Sequence, residues 1–183
     1  MKSAKIRRDR AILVVVDIQE KLLPAMKKGE DIVEKAAILI QGAGMLGVPI
    51  LVTEQYPKGL GATIKPIGEA LGEFVPIEKT SFSIMGEPAF VEALKESGAE
   101  DVMICGIESH VCVQQSALDL LEKGYRVYIM EDATGSRNNT DKKFAGRRMV
   151  EAGCVGTTVE SALFELVGDA KDPCFKNISK LVK

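Results

Sequence analysis

Apolar residues in this chain fall into two kinds of run. Short unbroken stretches rich in valine and isoleucine alternate with longer ones whose apolar positions recur at helical spacing. "AILVVVD" (11–17) reads as a buried strand ending in a carboxylate, and "DIVEKAAILIQGAGMLG" (31–47) as a helix stopped by Gly47 before Pro49. "PILVTE" (49–54) is a second strand and "KPIGEALG" a short helix. "EFVPIEK" (73–79) is a weaker third strand, placed at an edge because Pro76 cannot donate to a ladder. A helix over 88–99 opens on Pro88 and closes near Gly98. "DVMICGI" (101–107) is a strand, and 111–124 a helix with Val113, Ala117, Leu120 and Leu121 on one face. Strands at 125–132 and 154–159 flank a helix around 141–152. A helix over "ESALFELVGDA" and a short one after Pro173 finish the chain.

Strand and helix alternate throughout, without a linker, a repeat or a shift in composition. A single domain over 1–183 is therefore expected. Strands that are apolar along their whole length belong in a parallel sheet covered on both faces. Right-handed crossovers then give a three-layer, doubly wound α/β sandwich with a mostly parallel six-stranded sheet, order 3-2-1-4-5-6. The first strand is followed by "IQEKLLP" instead of G-x-G-x-x-G, and no Walker lysine motif is present. A dinucleotide or P-loop site is not expected, and no cofactor is assigned.

Composition narrows the function classes. Lys+Arg 24 against Asp+Glu 26 leaves a net charge of −2, so nothing selects nucleic acid or an anionic membrane surface. The start "MKSAKIRRDR" is basic, but the apolar run behind it is too short for a signal core or a membrane span. It is read as a solvated tip, and the chain as cytoplasmic. Four cysteines at 105, 112, 154 and 174, with no C-x-x-C pair, fit a reducing compartment and not a disulfide scaffold.

The segment "CGIESHVC" (105–112) holds the only histidine and two of the cysteines. Cys105 falls inside the apolar strand and Cys154 beside one, so both are read as core. Cys174, after Pro173, is read as structural or inert. His110 and Cys112 lie two apart, a spacing that does not share a helix face, which argues against a Cys/His pair. One histidine also excludes a multi-histidine metal centre, and no metal is assigned.

Ligands in doubly wound sheets sit beyond the carboxyl ends of the strands, where strand order reverses. In the expected order strands 1 and 4 meet there, bringing Asp17 near Cys112 although 95 residues separate them. Cys112 would fall in the first turn of helix 111–124, where the dipole favours a thiolate and the free N–H groups favour an oxyanion. A carboxylate at Asp17 opposes the thiolate unless a cation shares the site or the carboxylate takes the proton. Lys79, ending the third strand in "EKTSFS", is a candidate cation, although it must reach inward from an edge.

These residues bring out a resemblance. "VVVDIQ", "EKTSFS", "CGIESHVCVQQSALDLLEKGY" and "EDATGSR" resemble, in order and spacing, the blocks of the isochorismatase-like cysteine hydrolase superfamily over nearly the whole chain. "TEQYPKGLG" and the tail are most similar to its isochorismatase-domain-containing subgroup. The resemblance implies that Cys112 is the nucleophile, that Asp17 is its proton acceptor and later activates water, and that Lys79 balances the charge. It also implies a cis peptide at Ile107–Glu108 that aims the Glu108 N–H, with that of Cys112, into an oxyanion hole. Gln19, Gln55, Tyr56, Phe82 and Glu108 are pocket candidates by position.

Two departures qualify the carry-over. Relatives that bind a metal through histidines near "TEQYPKGLG" have no counterpart here, which disfavours metal and nicotinamide. Members that cleave the isochorismate vinyl ether use no cysteine nucleophile, so the family name is a poor guide to substrate. The expectation is a metal-independent cysteine hydrolase of a small carbonyl substrate, an amide by preference, acting as a homo-oligomer. The alternatives are a non-catalytic scaffold for a protein partner and a redox-sensing thiol.

Overall fold

In the computed structural model, which describes residues 5–183, the β-branched runs become strands. They are β1 (Ala11–Val16), β2 (Ile50–Gln55), β3 (Ile77–Lys79), β4 (Asp101–Ile107), β5 (Arg126–Gly135) and β6 (Val155–Thr157). All pair in parallel, in the order β3-β2-β1-β4-β5-β6 that the alternation predicts. β1 and β4 are buried at every residue, which is why neither carries a polar face.

The helices are α1 (Gly29–Met45), α2 (Pro57–Leu60), α3 (Lys65–Leu71), α4 (Pro88–Glu96), α5 (Gln114–Glu122), α6 (Asn139–Ala152), α7 (Val159–Val167) and α8 (Phe175–Leu181). Alternate residues of β1 divide the core between two layers. Leu13 and Val15 pack with Leu39 of α1, Ile67 of α3, Leu163 of α7 and Ile178 of α8. Ile12, Val14 and Val16 pack with Phe90 of α4, Leu120 of α5 and Met149 of α6. Local signals start and stop these helices. Asn138 accepts from Thr140 N at 2.8 Å ahead of α6, and Gly153 ends that helix at φ 119°.

The sequence expectations shift at four places. β3 is only Ile77–Lys79, because Pro76 has no N–H to extend the ladder. β5 continues past 132 to Gly135: after a register shift between Ile104 and Gly106, Thr134 and Gly135 pair with Gly106 and Ile107. The helix expected at 111–124 begins earlier, as a π-helical turn Ser109–Val113 that runs into α5. The basic start is also less solvated than expected; residues 1–4 lie outside the described part. Ile6 is buried, Arg8 donates to the Leu46 carbonyl at 2.7 Å and pairs with Asp172, and Arg10 pairs with Glu100.

Candidate active site

Directly after β1 comes Asp17, a fully buried carboxylate with left-handed backbone (φ 51°). The turn is held by its N–H donating to the Thr53 carbonyl at 3.2 Å and its carbonyl accepting from Gln19 N at 2.9 Å. The side chain is then fixed at both oxygens. Thr53 Oγ1 donates to Oδ1 at 2.7 Å and Lys79 Nζ to Oδ2 at 2.7 Å. Thr53 sits opposite Val16 in the β1–β2 register, so the strand pairing itself aims its hydroxyl at the next residue of β1.

Lys79 crosses about two strand spacings, roughly 10 Å, from the edge strand to reach Asp17. Its ammonium also donates to Gln55 Oε1 at 2.6 Å and to the Ser81 and Phe82 carbonyls at 3.1 Å each. Four acceptors surround three protons, so the cation is held on all sides and at least one bond is shared. Neither side chain of the Asp17–Lys79 pair is exposed at all. An ion pair so far from water is costly to desolvate and survives only with such complete hydrogen bonding.

Cys112 enters from the other direction, on the π-turn after β4. Gly106 makes this approach possible. At φ 125° it adopts a backbone that side-chain-bearing residues rarely take, and a Cβ there would collide with the Val16 carbonyl. The Cys112 thiol lies near both Asp17 and Lys79, close enough for each charge to act on it. Burial, reinforced by the Asp17 charge and opposed by Lys79, pushes its pKa up to about 12. The expectation of a dipole-stabilised resting thiolate is therefore corrected. Cys112 is the fourth residue of the helical run instead of the second, and desolvation outweighs the helix terminus. At rest the sulfur keeps its proton, and the Asp17 carboxylate lies beside it.

The peptide Ile107–Glu108 is cis. Among the described residues no acceptor meets the Glu108 N–H. The Glu108 side chain turns to Arg137, accepting from its backbone N–H at 3.2 Å and its Nε at 3.0 Å. His110 pairs with Ser136 Oγ at 3.0 Å, through Nδ1. Cys105 is fully buried and Cys154 nearly so; burial pushes both thiols up to about 12. Cys174 is partly buried, with its thiol on the Met45 carbonyl at 3.5 Å.

The pocket candidates separate. Gln19 is fully buried and spends its amide on backbone: Oε1 accepts from Gln55 N at 2.7 Å, and Nε2 donates to the Gln55 and Gly61 carbonyls at 3.0 and 2.7 Å. Gln55 orients Lys79. Tyr56 and Phe82 are both more than half exposed, and a cavity of about 330 Å³ beside Lys79 is lined by Tyr56, Lys58, Glu78 and Glu87. A larger concavity, about 1160 Å³, opens at the opposite ends of the strands, around Arg10 and Arg126, and touches none of these residues. Among the described residues no group of three or more His, Cys, Asp or Glu is arranged to hold a metal.

Two positioning residues escaped the sequence reading. Thr53 is an ordinary strand residue by composition, and only the register betrays it. Ser116, fully buried, donates to the Cys112 carbonyl at 2.6 Å and accepts from Ile84 N at 3.0 Å, tying the Cys112 turn to the loop after Lys79. Thr53→Val should remove a hydrogen bond to a charged group and cost about 1.5–3 kcal/mol of stability. An unchanged denaturation midpoint would show that the Thr53–Asp17 bond holds nothing.

Comparison with known proteins gives one consistent answer. The isochorismatase domain model matches residues 11–161. Isochorismatase domain-containing protein 1 of Salmo salar is 42% identical over 91% of this chain, which spans 59% of that relative's length. The MAR1 ribonuclease structure from Caenorhabditis elegans superposes with a TM-score of 0.92 at 42% identity, covering 97% of this chain and 92% of that one. The Escherichia coli YcaC gene product, described as an octameric hydrolase of unknown specificity, shares the fold with a TM-score of 0.93 at 23% identity, covering 99% and 90%. On the matched domain and the identity to these relatives, the chain belongs to the isochorismatase family.

Proposed function

We propose that this chain is a cysteine hydrolase that cleaves a small carbonyl substrate, an amide by preference, through an acyl-thioester on Cys112. One observation carries the reading: the wholly buried Asp17–Lys79 pair has the Cys112 thiol near both members.

In this mechanism the Cys112 thiol gives its proton to Asp17 as sulfur attacks the carbonyl carbon. The developing oxyanion is held by the Glu108 and Cys112 N–H groups. Collapse breaks the C–N bond, and the leaving amine takes the proton from Asp17. Asp17 then accepts a proton from water, whose oxygen attacks the thioester; Cys112 leaves and is reprotonated. Lys79 balances the charge on Asp17 through the cycle and moves no proton. Each step uses side chains of this chain alone, so the reading requires no metal or cofactor.

The high pKa of Cys112 disfavours the redox-sensor alternative, because oxidation follows thiolate character. A single domain, a cytoplasmic location and a homo-oligomeric state complete the reading. Four free cysteines support the location, and the octameric E. coli relative supports the assembly. No helix among the described residues is long and apolar enough to cross a membrane. The ribonuclease name of the nematode relative is not carried over, since a net charge of −2 offers little to a phosphate backbone.

The test is a panel of small amides with released ammonia or amine as readout, alongside intact-protein mass spectrometry and an RNA substrate. Turnover with an acyl adduct on Cys112, absent in Cys112→Ala, is expected. RNA cleavage that survives Cys112→Ala, or amide turnover that does, would overturn the proposal.

A further inference from the structure

Glu108 is held from two sides. Its carbonyl accepts from Val111 N at 3.1 Å and from Val113 N at 3.2 Å. Its carboxylate Oε2 accepts from Arg137 N at 3.2 Å and from Arg137 Nε at 3.0 Å. The backbone N–H is the exception: it has no acceptor among the described residues, in a residue only 8% exposed. An unpaired N–H shielded from water is costly, and a ligand oxygen would relieve it.

The segment that grips the carboxylate is itself braced. Past the bulge, β5 still runs beside β4, with Thr134 opposite Gly106 and Gly135 opposite Ile107. The next two residues carry the contact beyond the ladder. Ser136 Oγ meets His110 Nδ1 at 3.0 Å, and Arg137 holds Glu108. Ser136 is buried, and its carbonyl accepts from Lys27 N at 3.2 Å, which ties the segment to the chain after β1. Residues 134–137 thus form a rail along the turn that leads from β4 to Cys112. The Arg137 side chain is exposed, so its ion pair alone would be a weak hold. Its backbone N–H on the same oxygen makes the grip two-pointed.

We propose that Arg137 is a positioning residue: through the Glu108 carboxylate it fixes the Glu108 peptide so that its N–H faces the oxygen of a carbonyl under attack by Cys112. The inference rests on the cysteine hydrolase reading above and goes beyond it, because it takes the Glu108 side chain away from substrate and gives it to Arg137. A donor to an oxyanion is effective only when it is in place before the charge develops. A Glu108 peptide free to turn therefore costs rate more than stability.

Two reactions of the same sulfur test this. p-Nitrophenyl acetate acetylates a cysteine through a tetrahedral oxyanion, with p-nitrophenolate leaving. Iodoacetamide alkylates it by displacing iodide from a saturated carbon, where no oxyanion forms. Both adducts on Cys112 are followed by intact-protein mass spectrometry, with Cys112→Ala as the blank. Glu108→Ala and Arg137→Ala should slow acetylation by about tenfold or more, part of the roughly 10²–10³-fold lost with a whole oxyanion donor. Alkylation should match wild type, because Asp17 and Lys79, the charges that act on the thiol, are untouched. Glu108→Gln keeps an oxygen for both Arg137 donors and should recover most of the acetylation rate. A wild type that p-nitrophenyl acetate never modifies at Cys112 overturns the hydrolase reading and this inference together. Wild-type acetylation in either alanine variant, or equal slowing of both reactions, overturns the positioning role and leaves the hydrolase reading standing.

Discussion

Replacing Asp17 with asparagine should make Cys112 react faster with an alkylating agent while hydrolysis collapses. In the wild-type protein a thiol pushed up to about 12 is ionised at pH 8 in only on the order of one molecule in 10,000, so iodoacetamide labels it slowly. Asp17→Asn removes a negative charge that raises that pKa and leaves the Lys79 cation, which lowers it. The variant thiolate is therefore more populated, and its labelling should rise by at least tenfold. Asparagine can turn its oxygen to the Lys79 ammonium and donate its N–H to the Thr53 hydroxyl, so the local geometry is kept. It cannot accept the thiol proton or activate water. Loss of a general base costs about 10²–10⁴-fold in rate, and in the proposed mechanism the same group serves both half-reactions.

The two readouts must move in opposite directions. A carboxylate that only held the fold together would change both in the same direction, or neither. The pH dependence has a defined sign as well. Wild-type labelling should climb steadily from pH 7 to 10 without a plateau, because the thiol titrates above that window. A plateau near pH 8 in wild type, or faster turnover in Asp17→Asn, would remove Asp17 as the proton acceptor.

How far the site could be read in advance depended on which interactions leave a periodic trace. β1 and β4 were legible because strands buried on both faces admit almost nothing but apolar residues. Their adjacency at the switch point implies that Asp17 lies beside Cys112. Lys79 was harder, since a lysine on an edge strand is ordinarily solvated. Only the Gln55 side chain and the Ser81 and Phe82 carbonyls, set by loop conformation, turn it inward. Thr53 left no trace at all, because threonine is a normal strand residue. β5 ran longer than its apolar core because "EDATG", which looks like a turn, resumes pairing beyond a bulge. The protonation of Cys112 was misread for a related reason. Helix position is visible in sequence, whereas the depth of burial that overrides it is a property of the packed whole.

Lys79→Met should destabilise the protein more than any surface substitution, because it strands a carboxylate that water does not reach. Breaking a buried pair by removing one partner costs about 3–5 kcal/mol, and Thr53 alone cannot offset the charge. The loss appears as a lowered denaturant midpoint with an unchanged m-value. Turnover should fall too, since the cation that balances the Asp17 charge through the proposed cycle is gone. The double variant Asp17→Asn/Lys79→Met separates these effects. With both charges gone, the buried site is neutral and much of the lost stability should return, yet hydrolysis should not. In the proposed mechanism stability and activity are coupled through Lys79, because the ion pair would be both a packed element and the chemical machinery. If the double variant is as unstable as Lys79→Met alone, the cost lies in lost packing of the lysine stem, and the charge balance assigned to Lys79 is wrong.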